Sequence, residues 1–358
     1  MSAEHGADGG RIWGWDLLRG LCALSVMAYH LLVWQDLAAL HTFGTYGVYL
    51  FFVLSGASLA YTYGERITSW RTAGAFLMLR WFRLTPLFAV VAVISVALFS
   101  AHSGRLTDLL PLRMALNLTY AFGFYDPVVW SLPIGGWSLG IEFVYYLMFP
   151  LLMVGLRRRG GRWPLFGAAI VVQVCWIAAT IGGPDGYDAN AIAYHQVPAF
   201  GAYFVVGCLI GLDARAHRPA DPFIIALGAW LMLGGCLAAL NPAQAGDQLL
   251  GFSGLVLPLA CVLVVWVSGR ARVPARLRPV AVWLGDITYG SYLLHPVLFF
   301  GLTWFVLPGD PLTHAQRWWL AAGVALASCL AAMARERWLE SPVRQWGRRW
   351  TRDRIGPV

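Results

Sequence analysis

The chain has 358 residues, of which 59% are hydrophobic and only 12% charged, about half the charged share of an ordinary soluble domain. All 26 basic residues are arginine, and the formal net charge is +8. These numbers exclude a disordered chain, a coiled coil, a collagen-like repeat and a typical soluble enzyme, and leave an all-α, multi-pass transmembrane protein. The 39 glycines and 18 tryptophans fit that class, because small residues let membrane helices approach and tryptophan favours the water–lipid boundary.

A membrane-spanning helix needs about 20 mainly apolar residues. About ten such runs are predicted, near 13–34, 45–63, 84–101, 136–156, 163–181, 195–212, 222–240, 248–268, 280–303 and 316–336. Residues 1–12 form a short leading segment. The first run already carries Asp16 and Arg19, so it is expected to stay as a span and not to be cleaved as a signal peptide. Residues 70–83 predict a short surface helix ahead of the third span. Residues 102–135 contain Pro111, Pro127 and Pro133, which predict broken structure with a short helix. Residues 13–340 form one transmembrane domain without internal repeat, and 341–358 a basic tail.

Charge between the runs orients the array. With the N-terminus inside, one side receives Arg11, Arg66, Arg71, Arg80, Arg83, Arg157 to Arg159, Arg162, Arg215, Arg218, Arg270 to Arg278 and Arg335 to Arg354. The other receives Arg105, Arg113 and Arg317, with Asp185, Asp188, Asp247 and Asp310. This bias places both termini in the cytoplasm. Arginines spread between apolar runs are topology signal, so no nucleic-acid partner is expected. The six cysteines all fall inside apolar runs without CxxC spacing and read as small buried side chains; no metal site is suggested.

Ionisable groups inside spans are costly and are functional candidates. Arg19 and His30 are eleven residues apart, which puts them on one helix face within about 20° and separates them by about 16 Å. Asp16 can pair with Arg19. Arg80 and Arg83, at i,i+3, share a face and suit phosphate or carboxylate. In WSLGIEFVYY, Ser138 and Glu142 share a face and can hydrogen-bond, and Glu142 lies at the depth of His30, which could serve as its partner. In ITYGSYLLHP, His295 precedes Pro296 toward the outer end of its span, and Asp286 can pair with the cytoplasmic arginines.

These residues resemble the bacterial membrane acyltransferase family 3, multi-pass O-acyltransferases of cell-surface sugars. The family's Arg, ten residues, then His is matched by Arg19 to His30. Its RxxR pair is matched by Arg80 and Arg83, and its FFxxSG segment by YLFFVLSG at 49–56. The tryptophan-serine-leucine stretch with its later glutamate is matched by Trp137, Ser138, Leu139 and Glu142. Ser291 to Pro296 resemble the late histidine-proline segment, and ERWLESPVR at 336–344 the closing one. Two departures stand out: Phe143 follows Glu142 where many relatives carry a second acid, and Leu294 replaces a frequent tryptophan.

The resemblance implies transfer of an acyl group, most often acetyl, from cytoplasmic acyl-CoA to a hydroxyl of a carbohydrate at the outer face of the bacterial inner membrane. No permanently bound cofactor is implied; acyl-CoA is a co-substrate. His30 is then expected as general base, with Glu142 orienting it and Arg19 holding the donor or its charge. Arg80 and Arg83 would bind the nucleotide end, and Trp137, Ser138, Tyr292 and His295 would line the substrate path. An acyl-His30 intermediate is a variant of this scheme. The rival is a transporter of a sugar or lipid using the same residues as a substrate or proton path, although two similar halves are not visible.

Overall fold

The computed structural model describes residues 11–180, 195–217, 219–242, 249, 251–307 and 312–356. Its helices are α1 (Trp13–Val33), α2 (His41–Tyr63), α3 (Trp70–Ser103), α4 (Leu110–Thr119), α5 (Pro127–Trp130), α6 (Trp137–Leu156), α7 (Arg159–Thr180), α8 (Gly201–Ala216), α9 (Phe223–Ala239), α10 (Gly251–Arg270), α11 (Arg278–Phe305), α12 (His314–Arg335) and α13 (Ser341–Arg354). Among the described residues, eight helices are long and apolar enough to cross a membrane: α1, α2, α3, α6, α7, α8 with its leading turn, α10, and α12 running into α13. Each remaining apolar run is also a helix: α9 has 17 residues and α11 has 28. Helix α11 is the more polar because it carries Asp286, Thr288, Tyr289, Ser291, Tyr292 and His295. Two two-residue parallel strands, Asp221–Pro222 and Ala271–Arg272, join the start of α9 to the end of α10. Arg218, Asp185, Asp188, Asp247 and Asp310 lie outside the described residues.

The expected surface helix at 70–83 is not a separate element. It is the first part of α3, a single helix of 34 residues. Ser69 starts it with a capping box to Thr72, and nothing between them and Pro86 breaks the backbone ladder. A helix of that length rises about 51 Å, well beyond the roughly 30 Å hydrocarbon core. The first turns are therefore extra length beyond one crossing, and they pack Ala73, Ala75 and Phe76 into the core. Pro86 leaves the Phe82 carbonyl without its ladder donor. Nearby, Tyr289 donates to the Leu84 carbonyl at 2.6 Å, tying α3 to α11.

Residues 102–135 are broken as their prolines predict, with α4, a 3-10 turn at Ala121–Phe124 and α5. Buried Asn117 staples the segment. Its amide donates to the Arg113 and Trp130 carbonyls at 2.8 Å each and accepts from the Leu132 N–H at 3.0 Å.

Glycines set the close contact between α2 and α8. A Cβ on Gly56 of α2 would lie 2.2 Å from the Phe204 carbonyl oxygen of α8, and one on Gly207 would lie 2.2 Å from that of Val53. Gly207 and Gly211 form a GxxxG pair, the small-residue spacing that lets membrane helices touch backbone to backbone. Gly207→Leu should destabilise the fold by about 1–3 kcal/mol through overpacking. A lower melting temperature in detergent, against an unchanged Gly228→Leu control in open space, checks this.

The basic stretch after residue 340 is also helical. Helix α13 lies against α3, with Trp346 and Trp350 edge-on to Phe82 at 5.3 and 5.9 Å. Between α12 and α13 the ERWLE segment forms a π-turn. It turns Glu340 inward, where the carboxylate, 2% exposed, pairs with Arg335.

Candidate active site

Helices α1 and α11 pack together and bring His30 beside His295. His30 Nδ1 lies 3.0 Å from His295 Nε2. His295 Nδ1 in turn lies 2.9 Å from the Ser291 carbonyl oxygen. A carbonyl only accepts, so His295 carries its proton on Nδ1. In the neutral pair His295 Nε2 is therefore the acceptor and His30 Nδ1 the donor. That assignment leaves Nε2 of His30 as an unprotonated nitrogen. The pair is locked from both sides: His295 is 1% exposed, and the Trp34 ring stacks on His30 at 5.0 Å and 4°.

The sequence expectation that Glu142 orients His30 fails here. Glu142 accepts from Ser55 at 2.7 Å and from the Tyr146 hydroxyl. Arg80 donates to that same hydroxyl at 2.8 Å and stacks over the Tyr146 ring at 4.7 Å. Glu142 thus belongs to a Ser55–Glu142–Tyr146–Arg80 chain, and its place beside His30 is taken by His295. Nor does Ser138 bond Glu142. Its hydroxyl lies 2.8 Å from that of Tyr292, and both reach the Gly135 carbonyl, at 3.2 and 2.9 Å. The i,i+4 spacing put Ser138 and Glu142 on one face, but a nearer carbonyl and phenol captured the serine.

At the arginine-rich end, Arg19 pairs with Asp16 at 3.0 Å and donates to Ser58 at 2.6 Å. Arg11 joins Asp16 and reaches Asp286 at 3.9 Å. Arg83 has no ion pair among the described residues. It feels the like charges of Arg80, Arg19 and Arg344, and also the carboxylate of Glu340, which is paired with Arg335.

Three cavities follow one another. The first, about 740 Å³, opens at the arginine-rich end and includes Arg19, Arg83, Arg335, Arg344 and Arg348 in its lining. The second, about 790 Å³, shares Arg19, Arg83, Gly285 and Tyr289 with it and runs on past Arg80 and Glu142 to Ser138 and Tyr292. The third, about 1340 Å³, lies beyond and is lined by His30, Trp34, Arg113, Gly135, Trp137 and His195 among others. The Gly135–Ser138–Tyr292 cluster forms the wall between the second and third. Trp137 faces the outer cavity, with His195 edge-on to its ring at 4.3 Å. Among the described residues no three His, Cys, Asp or Glu side chains cluster as a metal site would need.

Ser55, Tyr146 and Trp34 are functional candidates that sequence reasoning missed. Tyr146 stands four residues after Glu142, so the i,i+4 rule could have found it. Ser55 lies within the FFVLSG run, and Trp34 one turn after His30.

The histidine pair thus borders the aromatic outer chamber, and the arginine-lined cavities lie across the Gly135–Ser138–Tyr292 wall from it. The model of the acyltransferase-3 family, described as an acyltransferase domain, matches residues 12–334. The chain belongs to that family. It is 29% identical to the acyltransferase MdmB of Streptomyces mycarofaciens, over 88% of this chain and 86% of that one. It is 28% identical to the exopolysaccharide production protein ExoZ of Rhizobium meliloti (strain 1021), over 71% and 76%. It is also 26% identical to YrhL of Bacillus subtilis (strain 168), whose name proposes it as a peptidoglycan O-acetyltransferase. That match covers 93% of this chain but only 55% of YrhL, so the chain spans just over half the length of that relative. No solved structure matches it.

Proposed function

We propose that this acyltransferase moves an acyl group, acetyl in the first instance, from acyl-CoA to a hydroxyl of a carbohydrate in the chamber beside His30. The observation that carries this reading is the histidine pair, whose hydrogen bonds leave His30 Nε2 free as a base next to the outer chamber. The names of ExoZ and YrhL support a polysaccharide or peptidoglycan acceptor.

The acceptor hydroxyl gives its proton to His30 Nε2 while its oxygen attacks the thioester carbonyl. His295 Nε2, already accepting from His30 Nδ1, stabilises the imidazolium. The hydroxyls of Tyr292 and Ser138, now held on Gly135, are the donors nearest the chamber wall and would turn to the oxyanion. Collapse breaks the carbon–sulfur bond, and the thiolate recovers the proton from His30. Glu142 acts at one remove, fixing Arg80 and Tyr146 along the donor channel. Arg19 and Arg83 meet the anionic part of the donor, while Trp34 and Trp137 offer faces to a sugar.

The excess of arginine at the channel mouth supports a cytoplasmic orientation for that end, and hence cytoplasmic termini. Proteoliposomes of known orientation test the whole reading. Acetyl-CoA, which does not cross a bilayer, should support acetylation of an oligosaccharide only when added on the arginine-rich side. Transfer from the His30 side alone, or movement of unmodified sugar without acetylation, would overturn it.

A further inference from the structure

The family match ends at residue 334, yet the channel mouth is built partly from residues beyond it. Six arginines and four carboxylates line the mouth. Four of those arginines are matched by acids: Arg11 and Arg19 with Asp16, Arg335 with Glu340, and Arg344 with Glu336 at 3.1 Å. Two are left without an ion pair among the described residues, Arg83 on α3 and Arg348 on α13. They face the same cavity from two different helices.

Helix α13 is held in place for this. Gly347 lets it touch α3 so closely that an added Cβ would lie 2.5 Å from Cγ of Phe82, and Arg71 grips the Ile355 carbonyl at its far end. Arg344 and Arg348, at i,i+4, share the face turned to the mouth. The adjacent Arg349 does not line it.

From this geometry, and resting on the acyl-CoA reading above, we infer that Arg348 binds the 3′-phosphate of the coenzyme A nucleotide. The C-terminal helix is then a working wall of the donor site and not a free tail. Order along the donor fixes the assignment. Moving away from the thioester, coenzyme A presents its diphosphate first and its 3′-phosphate last. Arg83 lines both the mouth and the deeper channel, so it meets the diphosphate. Arg348 lines only the mouth, so it meets the outermost phosphate. A guanidinium with no ion pair of its own among the described residues suits a phosphate by paired hydrogen bonds.

The test compares acetyl-CoA with acetyl-dephospho-CoA, which lacks only that phosphate, in the purified full-length protein. Wild type should favour acetyl-CoA about tenfold in kcat/KM, the scale of one charge-assisted contact. Arg348→Gln should raise KM for acetyl-CoA to the value for the dephospho donor, with kcat and melting temperature unchanged. Arg349→Gln, the same charge change on the same helix, should keep the discrimination, and Arg83→Gln should weaken both donors alike. Equal use of the two donors by wild type, or discrimination retained in Arg348→Gln, overturns the inference. No transfer from either donor by wild type would instead overturn the acyl-CoA reading beneath it.

Discussion

Replacing His30 with glutamine should lower acyl transfer by about 10²- to 10⁴-fold, the range that a positioned general base supplies. Glutamine keeps a polar side chain of similar length between α1 and α11 while the proton acceptor is lost. KM for the donor should stay within about twofold, because the arginine channel is untouched. His295→Ala should cost less, about 10- to 100-fold, because it removes the group that fixes the ring of His30 but not the base itself. It should also displace the pH–rate profile, which a merely structural lesion would not do. Since the two rings act as one unit, the double variant should be no slower than His30→Gln alone. Near-wild-type transfer by His30→Gln, with normal yield and insertion, would remove this histidine from the chemistry.

Much of the architecture was legible in the sequence because hydrophobic runs depend on one variable, local polarity. All ten apolar runs are helices, and α3 departs only where its polar first turns looked like a separate element. The shared face of Arg19 and His30 was legible for a similar reason, since helical periodicity fixes directions within one helix. What periodicity does not fix is which neighbour that face meets. Glu142 and His295 were both placed at the depth of His30, and depth alone could not decide between them. The choice was made by packing: Gly20 of α1 meets Leu284 of α11, which brings α11 against α1, while α6 turns Glu142 toward Ser55 of α2. The FFVLSG run shows the same limit. Its Ser55 holds the carboxylate, and its Gly56 serves only the contact between α2 and α8. A motif read as one signal thus holds two unrelated jobs.

Arg83→Gln separates function from stability most sharply. The guanidinium of Arg83 sits among the like charges of Arg80, Arg19 and Arg344, while Glu340, the carboxylate that acts on it, is already paired with Arg335. Such a charge costs the empty protein repulsion and repays it only when an anion arrives. Removing it should therefore leave the melting temperature equal to or above that of wild type, as expected for a site kept strained for function. The same change removes a charge-assisted contact worth about 1.5–3 kcal/mol, so KM for acyl-CoA should rise about 10- to 100-fold while kcat changes little. Arg80→Gln should differ in kind. Arg80 already donates to Tyr146, which bonds Glu142. Its loss leaves that carboxylate without its cation and should lower the melting temperature as well as the activity. Melting curves with and without coenzyme A distinguish the two. Wild type and Arg80→Gln should both gain stability from the ligand through Arg83, whereas Arg83→Gln should gain little at the same concentration. A sharp fall in the melting temperature of Arg83→Gln with an unchanged KM would make Arg83 a structural residue and leave the donor without its anchor in the channel.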